Sequence, residues 1–427
     1  MVSIAAQRAA SSATASRRVA LTTLAAIAVV WAGFAAAIIA GVHGTGTAFL
    51  DLYVYRAGGH AVLSGHSLYA PDFDTVNNSP LGLLFTYPPF SALLFVPLAM
   101  VPMSVAKVVM TLLTLTTCAV IFAVVLAATV GKWDRLSSRR ELTAPMSART
   151  GKMLFAAALI FIFSTPVIGN FTYGQVNVIL YAAVVCDILL PRVWWPRGML
   201  VGLATAVKLT PAAFIGYFLV TRQWRALAVS VVTTAAAVFV SWLVMPSDTV
   251  QYFRSTVFDP GRIGGLAFSS NQSLRGAMER LPALDSIARP VWLVATVLIL
   301  VLAFVAVEAS RRCGDTVAAM LSVAIAELLC SPVSWSHHWV WLSAAAIYFL
   351  ARWAMSDDSR TLAAGTALAT IAIAAPWIFL PHSHSRERLW NPIEHVLGGV
   401  WAVAGVTLLV WFATAPVRRA RAQVAAA

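Results

Sequence analysis

The residue of this chain whose position most clearly suggests chemistry is Asp51. It stands just after the first long apolar segment, in the stretch FLDLYVYRAGG, with Tyr53 and Tyr55 close behind it. Ionisable groups at or within a bilayer are costly and tend to mark function. We therefore interpret Asp51 as a general base for a sugar hydroxyl, and the two tyrosines as rings that stack on a sugar or pack in the core. A helix cap or a loop ion pair with Arg56 is the structural alternative.

Lys208 is the second candidate, because it interrupts an apolar run. The segment Met199–Val220 is apolar except at Lys208-Leu-Thr-Pro211, where we predict a broken, re-entrant pair of half-helices. Irregular backbone at membrane depth is tolerated only inside protein or beside a polar cavity. A buried ammonium without a partner is expensive, and a lipid phosphate would be a suitable partner. Snorkelling of the lysine to an interface is the alternative.

His337 and His338 form the third candidate group, in the stretch SPVSWSHH at the predicted outer end of a span. They could hold or neutralise a phosphate, or orient a sugar. An interface pair beside Trp335 and Trp339 is the structural alternative. Adjacent histidines face different sides of a helix, so they would not chelate one ion together. We therefore expect no metal site.

Other polar residues could complete a binding site. Asp72 and Asp74 indicate a solvated loop, whereas Arg262 and Arg275 could clamp a phosphate bidentately. Amide side chains could bond sugar hydroxyls, although bonds between helices would serve structure equally well. The candidate binding residues are Arg56, Tyr87, Gln175, Asn177, Lys208, Asn271, Gln272 and Arg275.

Composition places these residues in a membrane protein. The chain has 427 residues, of which 60% are hydrophobic and 11% charged, whereas soluble domains carry about 25% charged residues. At about 20 apolar residues per span, this length predicts an all-α polytopic bundle of about 11–12 helices. The 30 basic residues outnumber the 17 acidic ones and mostly lie between apolar segments. They therefore indicate cytoplasmic loops of a plasma-membrane protein rather than nucleic-acid binding.

The same charge bias predicts the topology. The apolar run Val19–Val42 becomes the first span, with its N-terminus in the cytoplasm. Residues 43–86 and 246–289 become two larger outer loops of a single membrane domain, 1–427. The candidate residues then fall on the outer side.

One conflict in this topology stays open. The basic stretch Lys132–Lys152 should be cytoplasmic, yet two apolar pieces, near 88–101 and 104–130, precede it. Two full crossings would leave the basic stretch outside. Either one piece is short and re-entrant, or this loop breaks the charge rule.

Six segments, taken in order over most of the chain, resemble actinobacterial glycosyltransferase family 87. They are Asp51-Leu-Tyr-Val-Tyr, Phe85-Thr-Tyr-Pro-Pro-Phe90, Tyr173-Gly-Gln-Val-Asn177, Lys208-Leu-Thr-Pro211, Ser270-Asn-Gln-Ser-Leu-Arg275 and Ser331-Pro-Val-Ser-Trp-Ser-His-His338. The resemblance implies the GT-C membrane fold. It also implies similarity to the mannosyltransferases of phosphatidylinositol-mannoside and lipomannan synthesis.

The resemblance further implies a reaction. The donor would be polyprenyl-phosphate-mannose and the acceptor a mannosylated phosphoinositide glycolipid, joined by an α-1,2 bond at the outer face of the membrane. The donor sugar is β-linked, so transfer inverts the configuration and one general base suffices. Asp51 stands in the family position of that base, and Arg275, within a family motif, has a better claim to the phosphate than Arg262. We expect no cofactor and no metal.

Two other functions stay open at this point. One is the transfer of arabinofuranose from its polyprenyl phosphate by an enzyme of the same fold. The other is transport of a lipid-linked sugar, which should show repeated halves with paired broken helices. The sequence indicates one broken helix, at Lys208, and no internal repeat.

Overall fold

The computed structural model describes residues 2–40, 48–77, 79, 82–131 and 147–414, and this part of the chain is almost entirely helical. Within it, the only β-pairing is an isolated antiparallel bridge between Asn271 and Trp335. The predicted all-α membrane class is thus confirmed, and it is consistent with the GT-C type. Most of the basic stretch that begins at Lys132, and the arginines of the C-terminal tail, lie outside the described residues.

The α-helices are numbered in chain order. They are α1 (Val2–Ile39), α2 (Leu50–Ser64), α3 (Phe73–Val76), α4 (Pro89–Met100), α5 (Met103–Val130), α6 (Ala148–Ile162), α7 (Thr165–Tyr173), α8 (Asn177–Leu189), α9 (Met199–Val207), α10 (Ala213–Val220), α11 (Trp224–Val244), α12 (Pro246–Arg254), α13 (Leu274–Glu279), α14 (Ala288–Arg312), α15 (Thr316–Cys330), α16 (Val340–Ser356), α17 (Ser359–Ala374), α18 (Pro392–Gly398) and α19 (Val400–Ala413).

Long apolar helices form only part of the bundle. By length and composition, the described part of the chain holds five helices that could cross a membrane, or up to seven if each of two bent pairs counts as one span. Five shorter apolar helices of 10–17 residues accompany them. This number is below the expected 11–12 or so, because prolines and polar turns divide several apolar segments into short helices.

The breaks in the helices were only partly foreseen. The predicted interruption at Lys208 is confirmed, since α9 ends there and a 3-10 turn, Thr210–Ala212, precedes α10. The expectation of one broken helix was wrong. The helices α6 and α7 are bent by 51° around Ser164, and α18 and α19 by 63°. In the first pair Pro166 stands in the opening turn of α7, where a proline is tolerated but cannot continue the preceding helix.

The helix α4 bears on the open topological conflict. It has 12 residues and ends at Val101, whose backbone is extended (φ −104°, ψ 159°). The following Pro102 accounts for this, because proline disfavours helical backbone in the residue before it. At 1.5 Å per residue the helix spans about 18 Å, well short of the ~30 Å hydrocarbon core. Its length favours the reading in which the first of the two apolar pieces is short.

The buried core and the apolar outer surface lie on different helices. In α16 every side chain from Val340 to Phe349 is buried, and α15 is buried along most of its length. In contrast, α11 and α14 expose large apolar side chains, such as Val232 and Leu298. Exposed apolar stripes of this size suit contact with lipid.

A buried carboxylate ties α8 to α9. The side chain of Asp187, near the end of α8, accepts hydrogen bonds from the backbone N–H groups of Gly198 and Val201 at 3.0 Å. These bonds satisfy donors in the first turn of α9, which have no partner within that helix. The opposite ends of the two helices carry Asn177 and Lys208, so this junction helps to set the spacing of two predicted site residues.

Candidate active site

Asp51 lies in the first turn of α2, where a negative charge interacts favourably with the helix dipole. The helix start is held by Phe49, whose backbone is left-handed (φ 59°) and whose N–H donates to the carbonyl of Thr172 at 2.6 Å. Gly174 ends α7 at φ +68°, and a Cβ there would lie 3.0 Å from that of Leu52. Because α2 packs closely on the end of α7, a small residue is required at position 174. The same contact brings Asp51 close to Gln175, the residue that follows Gly174.

The Asp51 carboxylate is held by an amide and a tyrosine network. Gln175 donates a side-chain hydrogen bond to Asp51, and its Oε1 accepts one from the Tyr55 hydroxyl at 2.9 Å. The Tyr55 hydroxyl also lies 3.1 Å from that of Tyr87 and accepts from the backbone N–H of Val176 at 3.3 Å. These bonds fix the orientation of Gln175, and Gln175 in turn orients the carboxylate.

Burial changes the acidity of Asp51. Desolvation raises the pKa of this carboxyl to about 6, although the hydrogen bond from Gln175 and the charge of Lys208 favour the ionised form. At neutral pH the group is therefore ionised, yet it holds a proton more strongly than a free aspartate. That combination is expected of a general base near its working pH.

Lys208 lies at the end of α9 with an extended backbone (φ −148°, ψ 133°). Its ammonium donates to Asn177 Oδ1 at 2.6 Å, lies 3.2 Å from His338 Nε2, and stands 5.4 Å from the centre of the Tyr87 ring. It also interacts electrostatically with Asp51. The break in the helix therefore presents the ammonium to the same cluster as the carboxylate.

The two histidines lie in a 3-10 turn, Ser336–His338, which is fixed through its backbone. Asn170 Nδ2 donates to the carbonyl of His337 at 2.7 Å, and the Tyr181 hydroxyl donates to that of His338 at 3.1 Å. A Cβ on Gly169 would come within 3.0 Å of His337 Cβ, so α7 packs closely on this turn. The His338 ring reaches Lys208, whereas the His337 ring packs against Tyr173, with 5.3 Å between the ring centres.

Both imidazoles are neutral in the protein without substrate. Burial lowers the pKa of His337 and His338 well below the ordinary value, and the charge of Lys208 acts in the same direction. Both ring nitrogens of His337 are buried and have no hydrogen-bond partner among the described residues. The expected neutralisation of phosphate by a histidine charge is therefore not available in this state. Hydrogen bonding to a substrate remains.

The structure does not bring Asn271 and Gln272 to this cluster. Asn271 Nδ2 donates to the carbonyls of Leu266 and Pro332 at 2.9 and 3.1 Å, and its Oδ1 accepts from the backbone N–H of Ser334 at 2.9 Å. Gln272 donates to backbone carbonyls at Ser269 and Gly398, both at 2.8 Å. Asn271 joins the second loop to the segment before the histidines, and Gln272 joins it to α18. Both amides therefore make structural bonds within the protein, which was the alternative to sugar binding.

Two of the predicted arginines are likewise engaged elsewhere. Arg275 forms an ion pair with Glu279 and stacks over the Trp292 ring at 5.7 Å. Arg56 donates to the carbonyls of Leu98 and Val101, at the end of α4, the latter at 2.6 Å. Such a cation at a helix C-terminus satisfies carbonyls that lack partners within the helix.

Arg262, the third predicted arginine, has no ion pair among the described residues. Arg262, ranked second from the sequence, has buried Nε and Nη2 atoms without partners in the described part of the chain. It interacts electrostatically with Tyr69, whose hydroxyl donates to the Tyr87 carbonyl at 2.6 Å.

The two acids of the first loop lie near the surface. Asp72 is exposed and Asp74 is half-buried, in agreement with a solvated loop, although their spacing is that of a D-x-D pair.

Glu327 is the functional candidate that the motifs missed. It lies in α15, hydrogen-bonds the side chain of Thr210 and interacts electrostatically with Lys208 and Tyr181. Within TVAAMLSVAIAELLC it is the one charged residue of an apolar helix. The cost of a charge at that depth was a sufficient signal to single it out.

Metal binding has little support from residue grouping. Residues 2–40, 48–77, 79, 82–131 and 147–414 contain no group of three or more His, Cys, Asp and Glu side chains that could hold a metal ion. Metal independence stays a prediction.

The geometry defines a class of site. The Asp51 carboxyl, with a pKa of about 6, interacts electrostatically with the half-buried Lys208 ammonium, and neutral imidazoles and one amide, Asn177, offer hydrogen-bond capacity around them. Asn177 Nδ2 is buried without a partner among the described residues. Such a site can take a proton from a hydroxyl while a cation stabilises an anionic leaving group. The protein is therefore a polytopic helical membrane enzyme of the group-transfer class.

Comparison with known proteins identifies the family of the chain. Glycosyltransferase family 87 matches residues 85–332. A polyprenol-phosphate-mannose-dependent alpha-(1-2)-phosphatidylinositol mannoside mannosyltransferase of Mycolicibacterium smegmatis is 34% identical over 84% of this chain and 83% of its own length. The protein of the same description from Mycobacterium tuberculosis is 32% identical over 84% of both chains. No solved structure matches.

A third relative carries a different description. A phosphatidylinositol pentamannoside mannosyltransferase of Mycolicibacterium smegmatis, also polyprenol-phosphate-mannose-dependent, is 35% identical over 86% of this chain and 84% of its own. The chain belongs to glycosyltransferase family 87 and is an enzyme of that family. The resemblance drawn from the six sequence segments is confirmed.

Proposed function

We propose that this enzyme transfers mannose from polyprenyl-phosphate-mannose to a phosphatidylinositol mannoside and forms an α-1,2 linkage. The descriptions of the relatives supply the donor, the linkage and the class of acceptor. The observation that carries the proposal is the Asp51 carboxylate, which hydrogen-bonds Gln175 and interacts electrostatically with the Lys208 ammonium. The similar identities to two kinds of relative, 34% and 35%, leave the acceptor at the level of the phosphatidylinositol mannosides.

In the proposed reaction Asp51 takes the proton of the acceptor hydroxyl. The hydroxyl oxygen attacks C1 of the mannose as the bond from C1 to the phosphate oxygen breaks, and the electron pair leaves with polyprenyl phosphate. A single displacement of this kind inverts a β-linked donor to an α-linked product. It requires a base and a stabilised leaving group, and no covalent intermediate on the enzyme.

Lys208 is the proposed ligand of the departing phosphate, because its ammonium is already held in the cluster by Asn177. Arg262 is the better placed of the two arginines to assist it. Two nitrogens of its guanidinium are buried without partners in the described part of the chain and it has no ion pair there, whereas Arg275 has one such nitrogen, Nε, and is paired with Glu279. The neutral His337 and His338 would donate or accept hydrogen bonds at the sugar or phosphate.

We place the reaction at the outer face of the plasma membrane. A cavity of about 720 Å³, lined in part by Arg197, Arg311 and Arg352, lies at the end of α8 opposite Asn177. Clusters of basic residues favour the cytoplasmic side. Since α8 runs from the Asp51 cluster to this basic end, the charge distribution supports an extracytoplasmic active site.

The decisive experiment compares Asp51→Asn with the matched variant Asp72→Asn, in purified protein supplied with labelled polyprenyl-phosphate-mannose and a phosphatidylinositol mannoside. Loss of the base should lower kcat by about 10²–10⁴-fold, while donor binding persists. The exposed Asp72 should tolerate its substitution. Native turnover by Asp51→Asn would refute the assignment of the base. In a parallel assay of the native protein with the polyprenyl-phosphate-arabinose donor, transfer from that donor alone would refute the proposed substrate.

A further inference from the structure

The first and second loops are joined by a buried carboxylate. Asp248 lies in the first turn of α12, and its side chain is buried. Its Oδ1 atom accepts hydrogen bonds from the Ser67 hydroxyl at 2.6 Å and from the backbone N–H of Leu68 at 3.2 Å. A carboxylate is tolerated inside a protein when hydrogen bonds replace its water. Here those bonds come from a loop 180 residues away in sequence.

Tyr69 extends this junction towards the active site. Its backbone N–H donates to Ser67 Oγ at 3.3 Å, and its ring packs against Tyr252 of α12, with 5.7 Å between the ring centres. Its buried hydroxyl donates to the backbone carbonyl of Tyr87 at 2.6 Å. Because Pro88–Pro89 follow and have no backbone N–H, fewer local hydrogen bonds can hold this segment. The α12 helix thus holds, through Tyr69, the backbone from which the Tyr87 side chain projects.

Tyr87 connects that backbone to the charged groups of the site. Its ring centre stands 5.4 Å from the Lys208 ammonium, and its hydroxyl lies 3.1 Å from that of Tyr55. Tyr55 donates to Gln175 Oε1 at 2.9 Å, and Gln175 hydrogen-bonds Asp51. A misplacement of about 1 Å at a catalytic group can lower the rate about 100-fold. A shift of the Tyr87 backbone would therefore reach both the cation and the base.

We propose that Tyr69 is a positioning residue for the transfer reaction, which is held by Asp248 and acts through Tyr87. This inference rests on the proposed function, because it takes the groups around Asp51 to be the site of transfer. A clasp that only joins the two loops is the structural alternative, and it would change the stability of the protein without changing turnover.

The test is a double-mutant cycle of Tyr69→Phe and Tyr87→Leu, in which kcat/KM for transfer of labelled mannose and the unfolding temperature in detergent are measured. Tyr69→Phe keeps the ring on Tyr252 and removes the hydroxyl, and we expect kcat/KM to fall about tenfold. In the Tyr87→Leu background it should lower kcat/KM little further, because its action passes through the Tyr87 side chain. The unfolding temperature should fall in both backgrounds, because the buried carbonyl loses its donor.

Two controls separate positioning from stability. Tyr348→Phe removes a comparable bond, from a buried tyrosine hydroxyl to Asp315 at 2.7 Å, and should lower the unfolding temperature while kcat/KM stays native. Asp248→Asn keeps an acceptor oxygen for the first loop and should retain most of the activity, whereas Asp248→Ala should reproduce the defect of Tyr69→Phe.

Native kcat/KM in Tyr69→Phe, or an equal loss in both backgrounds of the cycle, would overturn the inference. Those outcomes leave the proposed function standing if Asp51→Asn is inactive. A wrong donor sugar would instead refute the proposed function, and the cycle could still be measured with the sugar that is transferred.

Discussion

The Asp51 cluster (Asp51, Tyr55, Tyr87, Gln175, Asn177, Lys208 and His338) and the second outer loop around Asn271 carry sequence motifs of similar polarity, but the fold uses them differently. At Asn271 three of the hydrogen bonds go to backbone groups, and the loop is joined firmly to the segment at Pro332–Ser334. In the Asp51 cluster one buried donor, Asn177 Nδ2, has no hydrogen-bond partner among the described residues; at the loop, Gln272 Oε1 and Ser334 Oγ are also buried without partners.

The contrast teaches that polarity alone does not identify a ligand site. Buried polar groups are normally satisfied by their own protein. In the loop, the side-chain amide N–H groups of Asn271 and Gln272 donate to backbone carbonyls and act as a joint, whereas the Asp51 cluster combines an unpaired amide with a carboxylate and an ammonium, which is the arrangement we expect of a substrate site. Titration and substitution of residues in the two regions test this distinction.

The largest expected effect is that of pH on the Asp51 cluster. Because burial raises the pKa of Asp51 to about 6, the base is ionised above that value and becomes protonated as the pH falls through it. The rate constant kcat/KM should fall about tenfold for each unit below 6. The neighbouring His337 and His338 have pKa values well below the ordinary one and should not contribute near pH 6.

This profile can be measured with the purified enzyme over pH 4.5 to 8, roughly the range on either side of that pKa. Arg275→Gln, in the second loop, serves as the control and should reproduce the native profile. An acid limb that persists in the residual activity of Asp51→Asn would assign the titration to another group.

A smaller effect, on stability rather than turnover, is expected for Asn271→Ala. The substitution removes two donated bonds and leaves buried partners unsatisfied, at a cost of about 2–4 kcal/mol. The unfolding temperature in detergent should fall, while the donor KM of the folded protein stays native. The exposed Gln251→Ala is a suitable control. A raised KM with unchanged unfolding would move Asn271 into the substrate site.

The smallest effect should distinguish the two arginines of the second loop. Arg262→Gln removes a guanidinium with unpartnered nitrogens, and we expect the donor KM to rise about three- to tenfold. Arg275→Gln breaks an ion pair with Glu279, and its donor KM should change little. Equal donor KM values in the two variants, or the reverse order, would show that the unpaired nitrogens of Arg262 do not report a ligand.

Prediction from the sequence succeeded best where a local rule applies. The broken helix at Lys208 follows from a charge and a proline within an apolar run, and α9 ends at that residue. The break at Ser164 was missed although the same local rule applies there, since Pro166 follows it within the apolar run. Glu327 was missed because it belongs to none of the six motifs, although it is a lone acid in an apolar helix.

The class of the protein and its family follow from composition and motifs alone, whereas Asp51 as the base stays a prediction. Apolar length and scarcity of charge require a helical membrane bundle, since a backbone in lipid must satisfy its own hydrogen bonds. Which of the polar motifs lie close together depends on the tertiary structure. Asn271 and Asn177 are the same chemical group in similar motifs, and neither composition nor spacing reveals whether a backbone carbonyl or a substrate will take the amide N–H. That depends on contacts between helices distant in sequence, such as the packing of α7 on the histidine turn.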